Sequence, residues 1–131
     1  MTITITAVND APVIANLAGD TLAYTQGEPA SVIDQNDDAS ASDIDSTDFD
    51  TGTLTVSLPV GGVTTEDQLG IRNQGIAAGQ TGLSGFDVTY NPGAGAIMIG
   101  SFSGGGAGGG NLVVTFNPSA DATAVSALLR N

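Results

Sequence analysis

The chain has 131 residues and a formal net charge of −12; 40% of it is apolar and only 12% charged, and it holds neither Cys nor His. That length suits one domain with a real hydrophobic core, and the apolar content excludes a disordered acidic tail. Disulfides, thiolate chemistry and imidazole zinc sites are excluded, and the acidic surface argues against nucleic acid and anionic lipid as partners.

Lys is absent and Gly numbers 19, so the polar surface is Thr, Ser, Asn, Gln and Gly, which suits a β-protein rich in turns. The first element is a strand over 2–8, where Ile3 and Ile5 alternate with threonines. Its start has no basic n-region and no apolar h-region, so it does not read as a signal peptide, and no segment of the chain is apolar enough to cross a bilayer. The strand ends at Asn9-Asp10-Ala11-Pro12, where Pro12 holds Ala11 extended and cannot occupy a central ladder position. The expected boundary divides residues 1–11, a strand and stiff linker closing one module, from residues 12–131, the body.

Further strands are expected over 21–25, 30–34, 53–58, 68–72, 87–90, 96–102 and 111–116, at the close spacing of a sandwich. Turn chemistry separates them at Gly61-Gly62, Asn73-Gln74-Gly75 and Asn91-Pro92-Gly93, and the six glycines of 104–110 suit a hairpin connection. Near the end the period changes. Val125, Leu128 and Leu129 lie at helical spacing after Pro118-Ser119-Ala120-Asp121, so one short helix capped by Ser119 or Asp121 packs on the sheet. The expected fold class is all-β: an antiparallel immunoglobulin- or cadherin-like β-sandwich with one short C-terminal helix.

Seven of the twelve aspartates fall in one stretch: Asp34, Asp37, Asp38, Asp43, Asp45, Asp48 and Asp50. No Lys or Arg precedes Arg72, so the stretch is screened by solvent or by a cation. Asp43-Ile44-Asp45 places two carboxylates on one side of an extended segment, and Asp48 and Asp50 repeat the arrangement. Such hard oxygens suit calcium; the alternative is a solvated acidic loop. Asp34-x-Asn36-x-Asp38 imitates half an EF-hand loop, but Ala39 stands where Gly is required. Catalysis has little material, and Glu66-Asp67 reads as an exposed turn pair rather than an acid and base. Arg72 and Arg130 are expected to meet carboxylates or cap carbonyls.

The run Thr2-Ile3-Thr4-Ile5-Thr6-Ala7-Val8-Asn9-Asp10-Ala11-Pro12 resembles the junction between tandem cadherin-like repeats of very large bacterial surface and type I secreted proteins. Further matching runs are Asn16-Leu17-Ala18-Gly19-Asp20-Thr21-Leu22, Asp43-Ile44-Asp45-Ser46-Thr47-Asp48-Phe49-Asp50, Asp67-Gln68-Leu69-Gly70-Ile71-Arg72-Asn73-Gln74-Gly75 and Ala127-Leu128-Leu129-Arg130-Asn131. The resemblance covers nearly the whole chain. It implies an extracellular module of the bacterial cell surface with calcium (Ca2+) held near repeat junctions. The metal ligands it implies are Asn9, Asp10, Asp43 and Asp45, with Asp48 as a further ligand. A glutamate often follows the Tyr-Thr of such repeats; here Gln26 follows Tyr24-Thr25, so either Gln26 supplies a neutral carbonyl or Glu28 substitutes, with lower affinity. In such repeats more strands follow the Leu-Leu-Arg-Asn run, so the body is expected to be truncated at its C-terminal end, leaving an edge for residues 2–8 of the same chain or of a neighbour.

The expected function is a non-enzymatic, calcium-stiffened adhesive module whose partners are neighbouring repeats or identical chains paired strand to strand. The alternatives are a self-assembling filament or matrix subunit built by strand exchange, and a carbohydrate-binding module that takes a glycan. The latter lacks an aromatic platform, since Trp is absent.

Overall fold

The computed structural model describes residues 8–58, 66–106 and 110–131. Seven strands and one helix follow in order: β1 (Val13–Ala15), β2 (Ser40–Ser42), β3 (Thr53–Val56), β4 (Thr81–Ser84), β5 (Asp87–Tyr90), β6 (Ile97–Gly104), β7 (Leu112–Phe116) and α1 (Ala122–Leu129). They form two antiparallel sheets, a β1-β2 pair and a five-stranded sheet in the order β3-β7-β6-β5-β4. The fold is therefore all-β and antiparallel with one short C-terminal helix, as the sequence indicates.

Alternation builds the large sheet. Leu54 faces Val114 and Val56 faces Leu112 across β3 and β7, while Thr53 and Thr115 form the next pair on the opposite face. One side is thus aliphatic and packed, the other hydroxyl-rich and exposed. The ladder between β5 and β6 slips: Val88 pairs with Gly100 but Thr89 with Met98, so Ile99 has no partner opposite it. This β-bulge turns Ile99 into the core, where it is fully buried with Val88 and Val114. Gly100 is required beside it, because a Cβ there would collide with the Thr115 carbonyl oxygen.

The helix closes the core. Asp121 caps it, its Oδ1 accepting the Ala124 N–H at 2.8 Å, which confirms the expected cap. Ala124, Val125 and Leu128 join Val88, Tyr90, Ile99, Val114 and Phe116 in one cluster, which also takes in Ala41 of β2. Ser126 pins β2 to the helix: its Oγ accepts the Ala41 N–H at 3.0 Å and donates to the Ala122 carbonyl at 2.6 Å. The small sheet is thereby fixed relative to the core, and with it the segment that carries Asp43 and Asp45.

Four of the expected strands correspond to β3, β5, β6 and β7, and residues 104–110 do connect β6 to β7, with 107–109 outside the described residues. Three others do not form. Residues 21–25 end in a turn in which the Glu28 N–H donates to the Thr25 carbonyl. Residues 30–34 carry no strand and end in the Asp34 side-chain turn described below. Residues 68–72 pack Ile71 on the core, and Leu69 accepts the Gly106 N–H at 2.7 Å. The expected strand over 2–8 and the Gly61-Gly62 turn fall on residues outside those described, apart from Val8, which is exposed and carries no strand.

Candidate functional site

The acidic stretch does not act as one cluster. β2 ends at Ser42, so Asp43 and Asp45 leave the small sheet at the end beside which β1 begins at Val13. The entry segment meets them there. The Asp10 backbone N–H donates to Asp45 Oδ2 at 2.9 Å, and the Asp45 N–H donates to Asp43 Oδ1 at 3.2 Å. An open hollow lined by Asp10, Ala11, Val13, Ser42 and Ile44 lies alongside. Ile44 is largely exposed there.

The Asp10 N–H, and after it a hydrogen bond with the Asp43 carboxyl, holds the Asp45 carboxyl below its ordinary value near 3.8, with burial opposing. Two neighbouring carboxylates repel one another, and a cation between them would relieve that repulsion.

The other expected ligands are spread out. The Asn9 side chain donates to the Asp10 carbonyl at 2.9 Å, so it lies beside the pair's partner. Gln26 Nε2 donates to Glu66 Oε2 at 3.1 Å, 40 residues away, while Glu28 Oε2 accepts the Thr25 N–H at 3.2 Å within its own turn. Asp48 forms an isolated bridge with Asp121 at the helix cap, and its Oδ1 accepts the Asp50 N–H at 3.0 Å. The structure thus brings the Asn9-Asp10 backbone to the Asp43-Asp45 pair, and gives Gln26, Glu28 and Asp48 other partners. Among the described residues, no three acidic side chains converge into a group that could hold a metal ion.

A second carboxyl pair had no signal in the sequence. Asp34 is buried at 5% exposure, unlike a residue of a solvated acidic loop. Its Oδ2 accepts the Ala39 N–H at 3.0 Å and its Oδ1 the Asn36 N–H at 3.3 Å. The Ala39 bond holds its carboxyl below the ordinary value against burial, and a hydrogen bond with the Asp20 carboxyl acts the same way. Asp20 also accepts from the Gln35 N–H at 2.8 Å and from Asn36 Nδ2 at 2.9 Å. A buried carboxylate meeting backbone donors fixes a loop. Asp20 stands fourteen residues upstream of Asp34, and only the folded path between them joins the two. Asp37 does face water, although Arg130 Nε lies 3.9 Å from its Oδ1.

Arg130 behaves as expected, whereas Arg72 meets a side-chain amide rather than a carboxylate or a helix-end carbonyl. Arg130 Nη1 donates to the Ala39 carbonyl at 3.2 Å, while Arg72 Nε donates to Asn131 Oδ1 at 3.1 Å. Comparison with known proteins finds no matching family model, no matching curated protein and no matching solved structure.

Proposed function

We propose that this chain is a non-enzymatic structural module of a bacterial extracellular repeat protein, akin to cadherin-like repeats, in which calcium stiffens the segment entering the domain. One observation carries the reading: Asn9-Asp10, the dipeptide at the resemblance's junction, lies against the Asp43-Asp45 pair through the bond from the Asp10 N–H to Asp45 Oδ2. The donor chemistry suits a hard cation, since the side chains of Asn9, Asp10, Asp43 and Asp45 are three carboxylates and an amide. Asn9, Asp10, Asp43 and Asp45 would hold the ion, with backbone carbonyls and water completing its shell. The ion would neutralise the adjacent Asp43 and Asp45 carboxyls and fix the direction in which the chain enters the domain.

Such a role is mechanical and needs no nucleophile or base. A ligand that binds the native state alone also stabilises it by mass action, by about 2.7 kcal/mol when it is present at a hundred times its Kd. Thermal unfolding with millimolar calcium, with magnesium and with chelator tests the proposal. The expected result is a rise in Tm with calcium that chelator reverses and magnesium does not reproduce. Identical melting curves in all three would refute it.

A further inference from the structure

The segment from Asp10 to Ile33 is held differently from the rest of the chain. No residue in it is buried, and none belongs to the core cluster. Its bonds run instead to residues 35–45, in the order of an antiparallel pair. Asp10 meets Asp45 at the mouth, and Val13 and Ala15 then face Ser42 and Ser40 in the ladder. Further in, Asn16 Nδ2 donates to the Asp38 carbonyl at 3.2 Å, and Asp20 Oδ2 accepts the Gln35 N–H at 2.8 Å. Elsewhere the bond between the exposed side chains of Gln26 and Glu66 ties the segment to the body. Residues 10–20 and 35–45 are thus two arms of one hairpin, and the second arm is the one anchored in the core.

The anchor is the helix, which runs antiparallel to β2. Ser126 Oγ bonds both backbone groups of Ala41, and one turn further on Arg130 Nη1 donates to the Ala39 carbonyl. Ala39 and Ala41 are both buried. The C-terminal end of α1 therefore lies at the Ala39 end of β2, whereas the entry segment leaves at the Ser42 end. Tension between the entry segment and Asn131 acts on β2 from its two ends, and the β1-β2 pair and the helix carry it in series.

We propose that the first arm is a sacrificial strap: under tension along the chain it parts from β2 before the core yields, and releases residues 10–33 as slack. The inference rests on reading the chain as a module pulled along its length within a repeat protein, and not on the ion. Of the two links in series, β1 is the weaker. All three of its residues are exposed, while α1 buries Ala124, Val125 and Leu128. Regions with few buried apolar contacts open well below the global stability. The release stops at Asp34, whose buried carboxylate holds the Asn36 and Ala39 N–H groups on the anchored arm. Drawn straight, residues 10–33 reach about 80 Å. In the folded pair their two ends lie about 20 Å apart, so parting lengthens the molecule by about 6 nm. The five-stranded sheet and the helix stay closed, and the arm can pair again when the tension falls.

Optical-tweezer pulling of the full chain through handles at its two ends, in chelator throughout, tests this apart from calcium. The chain has no Cys, so Val13→Cys/Ser42→Cys places a single disulfide across the ladder, at a strand-pair spacing that a disulfide spans. The full chain and the reduced variant are expected to lengthen in two steps, the first of about 6 nm. Oxidation of the variant should abolish the first step and leave the second, larger one, which also reports that the core is folded. Unfolding of the full chain in one step overturns the proposal, and so does a first step that survives oxidation. A Tm that does not respond to calcium would leave these expectations standing, so the two readings fail separately.

Discussion

The backbone N–H of Asp10 donates to the carboxylate of Asp45, a contact between residues 35 apart in sequence that fastens the entry segment to the end of β2. Within the entry segment, residues 8–12 are otherwise exposed. Asp45→Ala is therefore expected to speed hydrogen exchange at the Asp10 amide and protease cleavage around residues 8–12, while exchange in β5 to β7 stays unchanged. The sign of the pH dependence follows from the depressed Asp45 pKa: the contribution is fully present above its ordinary value near 3.8 and lost as pH falls through the depressed value. Amide exchange at Asp10, corrected for intrinsic rates, should therefore accelerate only in acid below about pH 4.

Asp34 gives a second acid-sensitive point. Its carboxylate holds the Ala39 and Asn36 N–H groups, and its pKa is also depressed, so acid should release the 34–39 turn in the same direction. Asp34→Asn should lower Tm at pH 7 and flatten the acid limb of the stability curve. An unaltered acid limb in that variant would show that the buried carboxylate does not drive acid unfolding.

Ser126 joins the two parts of the fold. Replacing it with Ala leaves the buried Ala41 N–H without its acceptor, at an expected cost of about 1–3 kcal/mol. Chemical denaturation measures it. Because the cost falls on the junction of helix and small sheet, the near-ultraviolet signal of Tyr90 in the core should persist below the transition.

Gly100 sits beside the bulge, with its Cα against the β7 backbone. Gly100→Ala forces a Cβ against the Thr115 carbonyl, a backbone atom that cannot move aside alone, so destabilisation of about 3 kcal/mol or more is expected. Gly93→Ala makes the comparison: its Cβ would meet open space, and only the strain of φ +115 opposes it.

Period and capping carried much of this fold in the sequence. β5 and β7 alternate cleanly, and the helix shows both its 3.6-residue spacing and its Asp121 cap. β1, β2 and β4 did not show, for distinct reasons. Val13–Ala15 follows Pro12, which reads as linker. Ser-Ala-Ser of β2 has no apolar alternation, and the buried position of Ala41 depends on Ser126, 85 residues away. β4 contains Gly82 and forms because a two-residue connection, Gly85-Phe86 with Gly85 at φ +63, folds it onto β5. The segments 21–25, 30–34 and 68–72 have strand-like composition, yet in each a side chain takes a backbone group that a ladder would use: Glu28 the Thr25 N–H, Gln35 the Val32 carbonyl and Asn131 the Arg72 carbonyl. For the site, spacing alone revealed the Asp43-Asp45 pair. Its meeting with Asp10 needed the resemblance, and the Asp20–Asp34 pair needed the folded chain.

Calorimetric titration of calcium into the intact chain, beside Asp43→Ala and Asp45→Ala, addresses the proposed role most directly. The account predicts saturable binding to the intact chain, weakened tenfold or more in each variant and accompanied by slower exchange at the Asp10 amide. Binding of equal strength in all three proteins, or no heat in any, would contradict it.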